Sequence, residues 1–199
     1  MLADTLRTQG VTLSSFVALD IEPIFGPLEG VARIGCEEDL LVFGPSNIEL
    51  INGVGSVGLP VARRDVFLRF KSAGFVFASV IHPNAIVASY VTIGEGAQIM
   101  AGAIVQTGAQ IGANSIVNTG AIIDHDSRVG DHTHIAPGAG VSGQVVIGKA
   151  SHIGAGARVI QGKHIGSEAI VAAGAVVVSD VEAGSTVVGV PARNMKLSK

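Results

Sequence analysis

The chain has a single cysteine, no tryptophan, one tyrosine and seven phenylalanines among its 199 residues. One thiol, Cys36, excludes an intrachain disulfide framework and fits a reducing compartment, where it reads as a small apolar side chain. Aromatics are 4% of the residues while 48% are hydrophobic. A core built without large rings must use many small aliphatic side chains in regular layers. Charge is scarce as well: 16 acids against 13 bases leave a formal −3. That balance gives no footprint for nucleic acid or an anionic membrane. Long apolar runs are missing too. Mean hydropathy is +0.52, yet Gly, Asn, Asp or Gln breaks each run well short of the ~18 residues of a membrane span. The opening "MLADTLRTQG" has neither a basic nor an apolar segment and predicts no secretory leader. The expectation is a soluble, cytoplasmic protein.

Glycine is what the chain has in excess, 27 of 199, without the every-third spacing of collagen. A period accompanies it. From Ile81 to Val177 every sixth residue is Ile or Val, seventeen in succession. Four places after each stands Ala, Ser, Thr or Val, with Lys163 the exception. Glycine often follows the aliphatic residue, as in "IGEGAQ", "IGANSI" and "IGKASH". A period of six is neither an amphipathic helix nor an ordinary alternating strand. It fits short strands joined by tight turns, one aliphatic side chain per strand pointing inward. Three such strands close a triangular coil of eighteen residues, and coils stack as parallel strands about 4.8 Å apart. The run is uninterrupted, so no large loop leaves the coil. The fold class is therefore an α/β N-terminal domain followed by an all-β parallel β-helix of hexapeptide repeats.

Residues 1–78 follow a different grammar. "SSFVAL" (14–19) and "NIELIN" (47–52) read as strands, "VARRDVFLRFKSAG" (61–74) as a helix, and "FVFASV" (75–80) as a strand entering the first coil. This alternation predicts a small α/β unit with a parallel sheet, of partial Rossmann type. Domains of 1–78 and 79–199 are expected, rigidly coupled because no flexible linker separates them.

Eighteen-residue spacing sets sequence positions side by side. His125 falls at a corner with Gly143 beside it in the next coil; His134 and His152 share another column. His125 is flanked by Asp124 and Asp126. A carboxylate bonded to one imidazole nitrogen fixes the tautomer and leaves the other nitrogen as a general base near neutral pH. The Gly143 N–H suits a developing oxyanion. This is the minimal equipment for acyl transfer to an amine or hydroxyl, although acids and histidine are also ordinary in solvated turns. Asn118, one hexad earlier, fits either a turn or a ligand contact. His82, His132 and His164 read as exposed corners. "NGVGSVG" (52–58) holds a formal GxGxxG between a strand and a helix, a loop that can bring N–H groups to phosphate. The acidic residue that dinucleotide binding needs about twenty positions later is missing, so sugar or phosphate contact, or a plain turn, is the better reading.

The hexapeptides ending in "VVGVPAR" (187–193) resemble the left-handed β-helix acyltransferases, which use acetyl-CoA. A small α/β domain, then "VIHPNAIV", then "NTGAIIDHDSRVGDHTHIAPGA" more specifically resembles the sialic acid O-acetyltransferase NeuD family. Within it the likeness is to PglD-like bacterial sugar N-acetyltransferases, and it spans about Val17 to Arg193. The resemblance implies acetylation of the amino group of a nucleotide-linked 4-amino-4,6-dideoxy sugar, with acetyl-CoA as cosubstrate and no metal, for surface polysaccharide or protein glycan synthesis. It implies His125 as base, Asp126 raising its basicity with Asp124 as a second candidate, and Asn118 close to the acceptor. His134, Ala155 and Ala173 become acetyl-CoA contacts, Asp20 and Gly55 nucleotide-sugar positions. A homotrimer with active sites between subunits is likewise implied. Because "MLADTLRTQG" resembles the helix that follows the family's first strand and Gly-rich loop, the expectation is an N-terminal domain without those two elements.

The alternative closest to this expectation is O-acetylation of sialic acid or another sugar. A zinc hydratase of the γ-carbonic anhydrase type would need three imidazoles on one metal, from His132, His134 and His152. A non-catalytic scaffold is the third reading.

Overall fold

The structure, a computed structural model, describes residues 1–18 and 26–195. Each hexad from Val80 onward contributes a two-residue strand: an outward side chain, then the inward aliphatic. Strands pair in parallel with those eighteen residues away, as in Ile116↔His134, Ile122↔Gly140 and Gln110↔Arg128. Three sheets result, the faces of a triangular prism. The first face carries Gln98–Ile99, Ile116–Val117, His134–Ile135 and His152–Ile153; the second Ile104–Val105, Ile122–Ile123, Gly140–Val141 and Arg158–Val159; the third Gln110–Ile111, Arg128–Val129, Val146–Ile147 and His164–Ile165.

The inward column is one continuous core. Ile99, Val117, Ile123, Ile135 and Ile153 are fully buried, with Ala103, Ala121, Ala139 and Ala157 filling the corners. Each buried Ile contributes about 1.5–3 kcal/mol relative to exposure. This is how a chain poor in rings closes a core. From Ile93 to Val171 the turns place a left-handed residue three places after each inward aliphatic. Gly102 and Gly120 supply it, but Asn114, Asp126 and His132 stand there with φ of 55°, 57° and 60°. Asn and Asp tolerate this region through local polar contacts. The last coil is two residues shorter, pairing Ile170 with Thr186, and Arg193–Asn194 returns antiparallel along Thr186–Val188.

Ahead of the coil lie α1 (Leu2–Thr8), β1 (Ser15–Val17), β2 (Ala32–Ile34), β3 (Glu49–Leu50), α2 (Val61–Ser72) and β4 (Val76–Phe77), with 3₁₀ segments at Gly26–Leu28 and Glu37–Phe43. The pairs β1–β2 and β3–β4 are parallel but form two separate small sheets rather than one. The strand expected over 47–52 is cut to Glu49–Leu50 because Asn52 turns inward to bond Arg63 and Asn114. Rings are concentrated here: Phe67, Phe70, Phe75 and Phe77 pack with Leu50, and Phe67 lies 4.7 Å from Phe77.

This segment sits on the first face. Glu95 accepts from Lys71 at 2.8 and 3.0 Å and from the Phe77 N–H at 2.8 Å. Gln98 donates to the Asn52 carbonyl at 2.7 Å.

Candidate active site

His125 sits at the corner leading from the second face to the third. The preceding Asp124 caps the turn, its Oδ1 accepting from the His125 N–H at 2.8 Å. Asp126, in the left-handed position, swings its carboxylate back onto His125 Nδ1 at 3.0 Å. An ionised carboxylate only accepts, so Nδ1 carries the proton and Nε2 is the basic nitrogen. The bond to Asp126 holds the imidazole pKa above its ordinary 6.5, against slight desolvation, with the charge of Asp124 adding to it. His125 remains open: 42% of its side chain is exposed.

Two glycines shape this corner. A Cβ on Gly143 would stand 2.5 Å from His125 Nε2, so only a hydrogen there lets the ring lie flat on the next coil. The Gly143 N–H has no protein partner among the described residues. One coil the other way, a Cβ on Gly108 would collide with the Asp126 carboxylate. Gly108 went unnoticed in the sequence, although it lies eighteen residues before Asp126.

Asn118 occupies the preceding corner, between the first face and the second. Its Oδ1 accepts from the Thr119 N–H at 2.8 Å, and its Nδ2 lies 3.1 Å from His134 Nε2. His134 projects outward from the first face but is buried under the 52–58 loop, its Nδ1 3.0 Å from both the carbonyl and the hydroxyl of Ser56. Burial, then the neighbouring His152, pushes its pKa down to about 4. The two rings meet edge to face at 5.1 Å. Ala155 and Ala173 follow in the column beneath Thr119, exposed, their N–H groups without protein partners among the described residues.

Gly55 is exposed in the loop over His134 and makes no side of a closed pocket. Asp20 lies outside the described residues. His132 corrects its expectation: it is half-buried, 3.0 Å from Asn114 Nδ2 and edge-on to Phe67 at 5.5 Å. Three imidazoles therefore do not converge, and no group of three or more His, Cys, Asp or Glu positioned for a metal occurs among the described residues. His164 lies exposed on a strand, not at a corner. Cys36 caps the 3₁₀ segment Glu37–Phe43. No helix of the described residues is long and apolar enough to cross a membrane.

Within one chain the structure brings His125, Asp124, Asp126 and Gly143 together, and separately Asn118, His134 and Ser56. The strand Ile122–Ile123 lies between the two groups. Ser56 was not foreseen; no local pattern links it to His134.

Residues 90–125 and 126–161 match the bacterial transferase hexapeptide model of six repeats, and 144–179 the hexapeptide repeat of succinyl-transferase. A search of curated proteins returned no match. Among solved structures, the acetyltransferase domain of PglB from Neisseria gonorrhoeae is 35% identical, over 98% of this chain and 93% of that one, with a TM-score of 0.85. Its complex with acetyl coenzyme A matches at 0.86. PerB from Caulobacter crescentus, solved with CoA and GDP-perosamine, is 34% identical over 98% and 91%, at 0.87. The chain belongs to the left-handed β-helix hexapeptide acyltransferases, in the branch of the PglD-like sugar N-acetyltransferases.

Proposed function

We propose that this enzyme transfers the acetyl group of acetyl-CoA to the amino group of a nucleotide-linked 4-amino-4,6-dideoxy sugar. The observation that carries this is His125, its Nδ1 held by Asp126 and its Nε2 free above Gly143. Relatives of the same architecture support the substrate classes, one bound to acetyl coenzyme A and one to CoA with GDP-perosamine.

In this reading the neutral amine attacks the thioester carbonyl while His125 Nε2 takes its proton. A C–N bond forms as the carbonyl becomes an oxyanion, which the Gly143 N–H stabilises. Collapse breaks the C–S bond and releases CoA thiolate, which recovers the proton from the imidazolium. No covalent enzyme intermediate is required. Asn118 faces the acceptor, His134 and the open N–H groups of Ala155 and Ala173 line the pantetheine arm, and Asp20 and Gly55 approach the nucleotide.

The two half-sites at opposite ends of Ile122–Ile123 support a homotrimer, in which the His125 corner of one subunit meets the Asn118 corner of the next. The first three outward positions of the second face, Ile86, Ile104 and Ile122, are apolar, with Ile86 64% and Ile122 40% exposed, before Gly140 and the exposed Arg158 follow in the same column. A repeated head-to-tail contact across such a face closes into a ring of three when each subunit is turned by a third of a circle from the last. Residues 1–78 act as the nucleotide-sugar domain and 79–199 as the acetyl-transfer domain. A cytoplasmic location, where acetyl-CoA is supplied, accords with this chemistry.

The test is CoA thiol release from acetyl-CoA with GDP- or UDP-linked 4-amino-4,6-dideoxy sugar. Wild type releases thiol and His125→Ala loses the rate by orders of magnitude. Release with sialic acid but with neither amino sugar would move the assignment to O-acetylation.

A further inference from the structure

The junction between α2 and the coil contains a charge in an unfavourable place. Arg63 is 1% exposed and stands in the first turn of α2, the end of a helix that disfavours a cation. No carboxylate pairs with it among the described residues. Its Nη1 donates to the carbonyls of Asn52 and Val54, both at 2.8 Å, and its Nε to that of Asn114 at 3.0 Å, while Nη2 is buried without a partner. A fold needing only a filled space here is served as well by a long apolar side chain. What the guanidinium adds is direction, since it pulls three carbonyls from two parts of the chain onto one point. Asn52 reinforces the knot, donating to Asn114 Oδ1 at 3.0 Å and accepting from the Val54 N–H at 3.1 Å.

The segment so fastened, 52–54, leads directly to Ser56. A carbonyl only accepts, so the Ser56 oxygen 3.0 Å from His134 Nδ1 requires the proton on that nitrogen. Nε2 is then a bare acceptor and receives Asn118 Nδ2. Asn118 is thereby oriented with its oxygen on the Thr119 N–H.

We propose that Arg63 is a positioning residue for the acceptor half of the site: it holds the 52–56 loop so that the Ser56 carbonyl sets the His134 tautomer and, through it, the amide orientation of Asn118. The kinetic consequence rests on the acetyltransferase reading above; the tautomer does not.

Imidazole ¹⁵N NMR of histidine-labelled protein tests this, with His134 assigned by its loss in His134→Gln. Wild type shows the proton on Nδ1 of His134. Arg63→Met shows both tautomers, with KM for the acceptor raised roughly tenfold or more, and Arg63→Lys recovers part of both. Should Arg63→Met fail to fold, Asn52→Ala, which loosens the same loop without stranding a charge, shows the same tautomer mixture. A wild-type proton on Nε2 overturns the proposal. So does a folded Arg63→Met or Asn52→Ala variant with both tautomer and acceptor KM unchanged. Intact NMR behaviour without turnover on any amino sugar would instead count against the acetyltransferase assignment.

Discussion

The imidazole of His125 lies so close over Gly143 that an added methyl would sit 2.5 Å from Nε2, the nitrogen with a free lone pair. The imidazole and the Gly143 backbone are thus pressed together by the absence of one carbon. Gly143→Ala should displace the ring and lower kcat about 100-fold. Thermal midpoint should move little, because Gly143 lies at a corner and not in the inward column. A variant with unchanged kcat would remove Gly143 from the reacting centre.

The bond from Asp126 raises the His125 pKa above 6.5, and only the unprotonated ring accepts a proton. Activity should therefore rise through that raised value and level off above it. In Asp126→Asn the main cause of the shift disappears while the charge of Asp124 remains. The acid limb of kcat/KM should then move to lower pH, with a reduced plateau. Measuring both profiles on one acceptor cancels the titration of the substrate amine. An unmoved limb would assign the profile to another group.

His134 behaves in the opposite sense. Its folded pKa of about 4 lies below the ordinary value, so the unfolded chain binds a proton that the folded chain refuses. Its contribution is whole above about pH 6.5 and is lost as pH falls toward 4, with a slope of at most about 1.4 kcal/mol per pH unit. Urea midpoints across this window should fall, and His134→Gln should flatten part of the decline. His132 and His152, which burial also shifts down, add to it, and at the acid end so do Glu95 and Asp131, whose carboxyls are held below their ordinary values.

If the catalytic and acceptor groups of one site come from two subunits, two dead variants can repair each other. Refolding His125→Ala with Asn118→Ala should yield trimers that contain some intact sites, and thiol release should return to a fraction of the wild-type rate. No recovery from mixed trimers, verified by mass, would confine each site to a single chain.

Much of this was legible because the repeat is local. A residue's face follows from its place in the hexad, and its neighbours from steps of eighteen; that arithmetic paired His125 with Gly143 and His134 with His152. It reaches Gly108 beside Asp126 by the same step. Nothing in it reaches Ser56, which meets His134 across 78 positions, or Arg63, which meets Asn114 across 51. Those contacts depend on how α2 lands on the first face, a matter of side-chain packing with no period. His132 differs in part for the same reason: Phe67 covers its corner from α2, whereas Asn114, one step of eighteen away, lies within reach of the column arithmetic.

The stacked coils also make distance along the prism a stepped quantity. Every corner repeats the same backbone, offset by one inter-strand spacing of about 4.8 Å. A base placed one coil up or down would keep its angle to the prism and change only its height above the loop that carries Ser56. The gap between an acceptor's anchored end and its reacting amine is thus adjustable in whole coils. An enzyme built this way accommodates a longer or shorter acceptor by relocating the tripeptide together with the two glycines that face it, leaving the inward column unaltered.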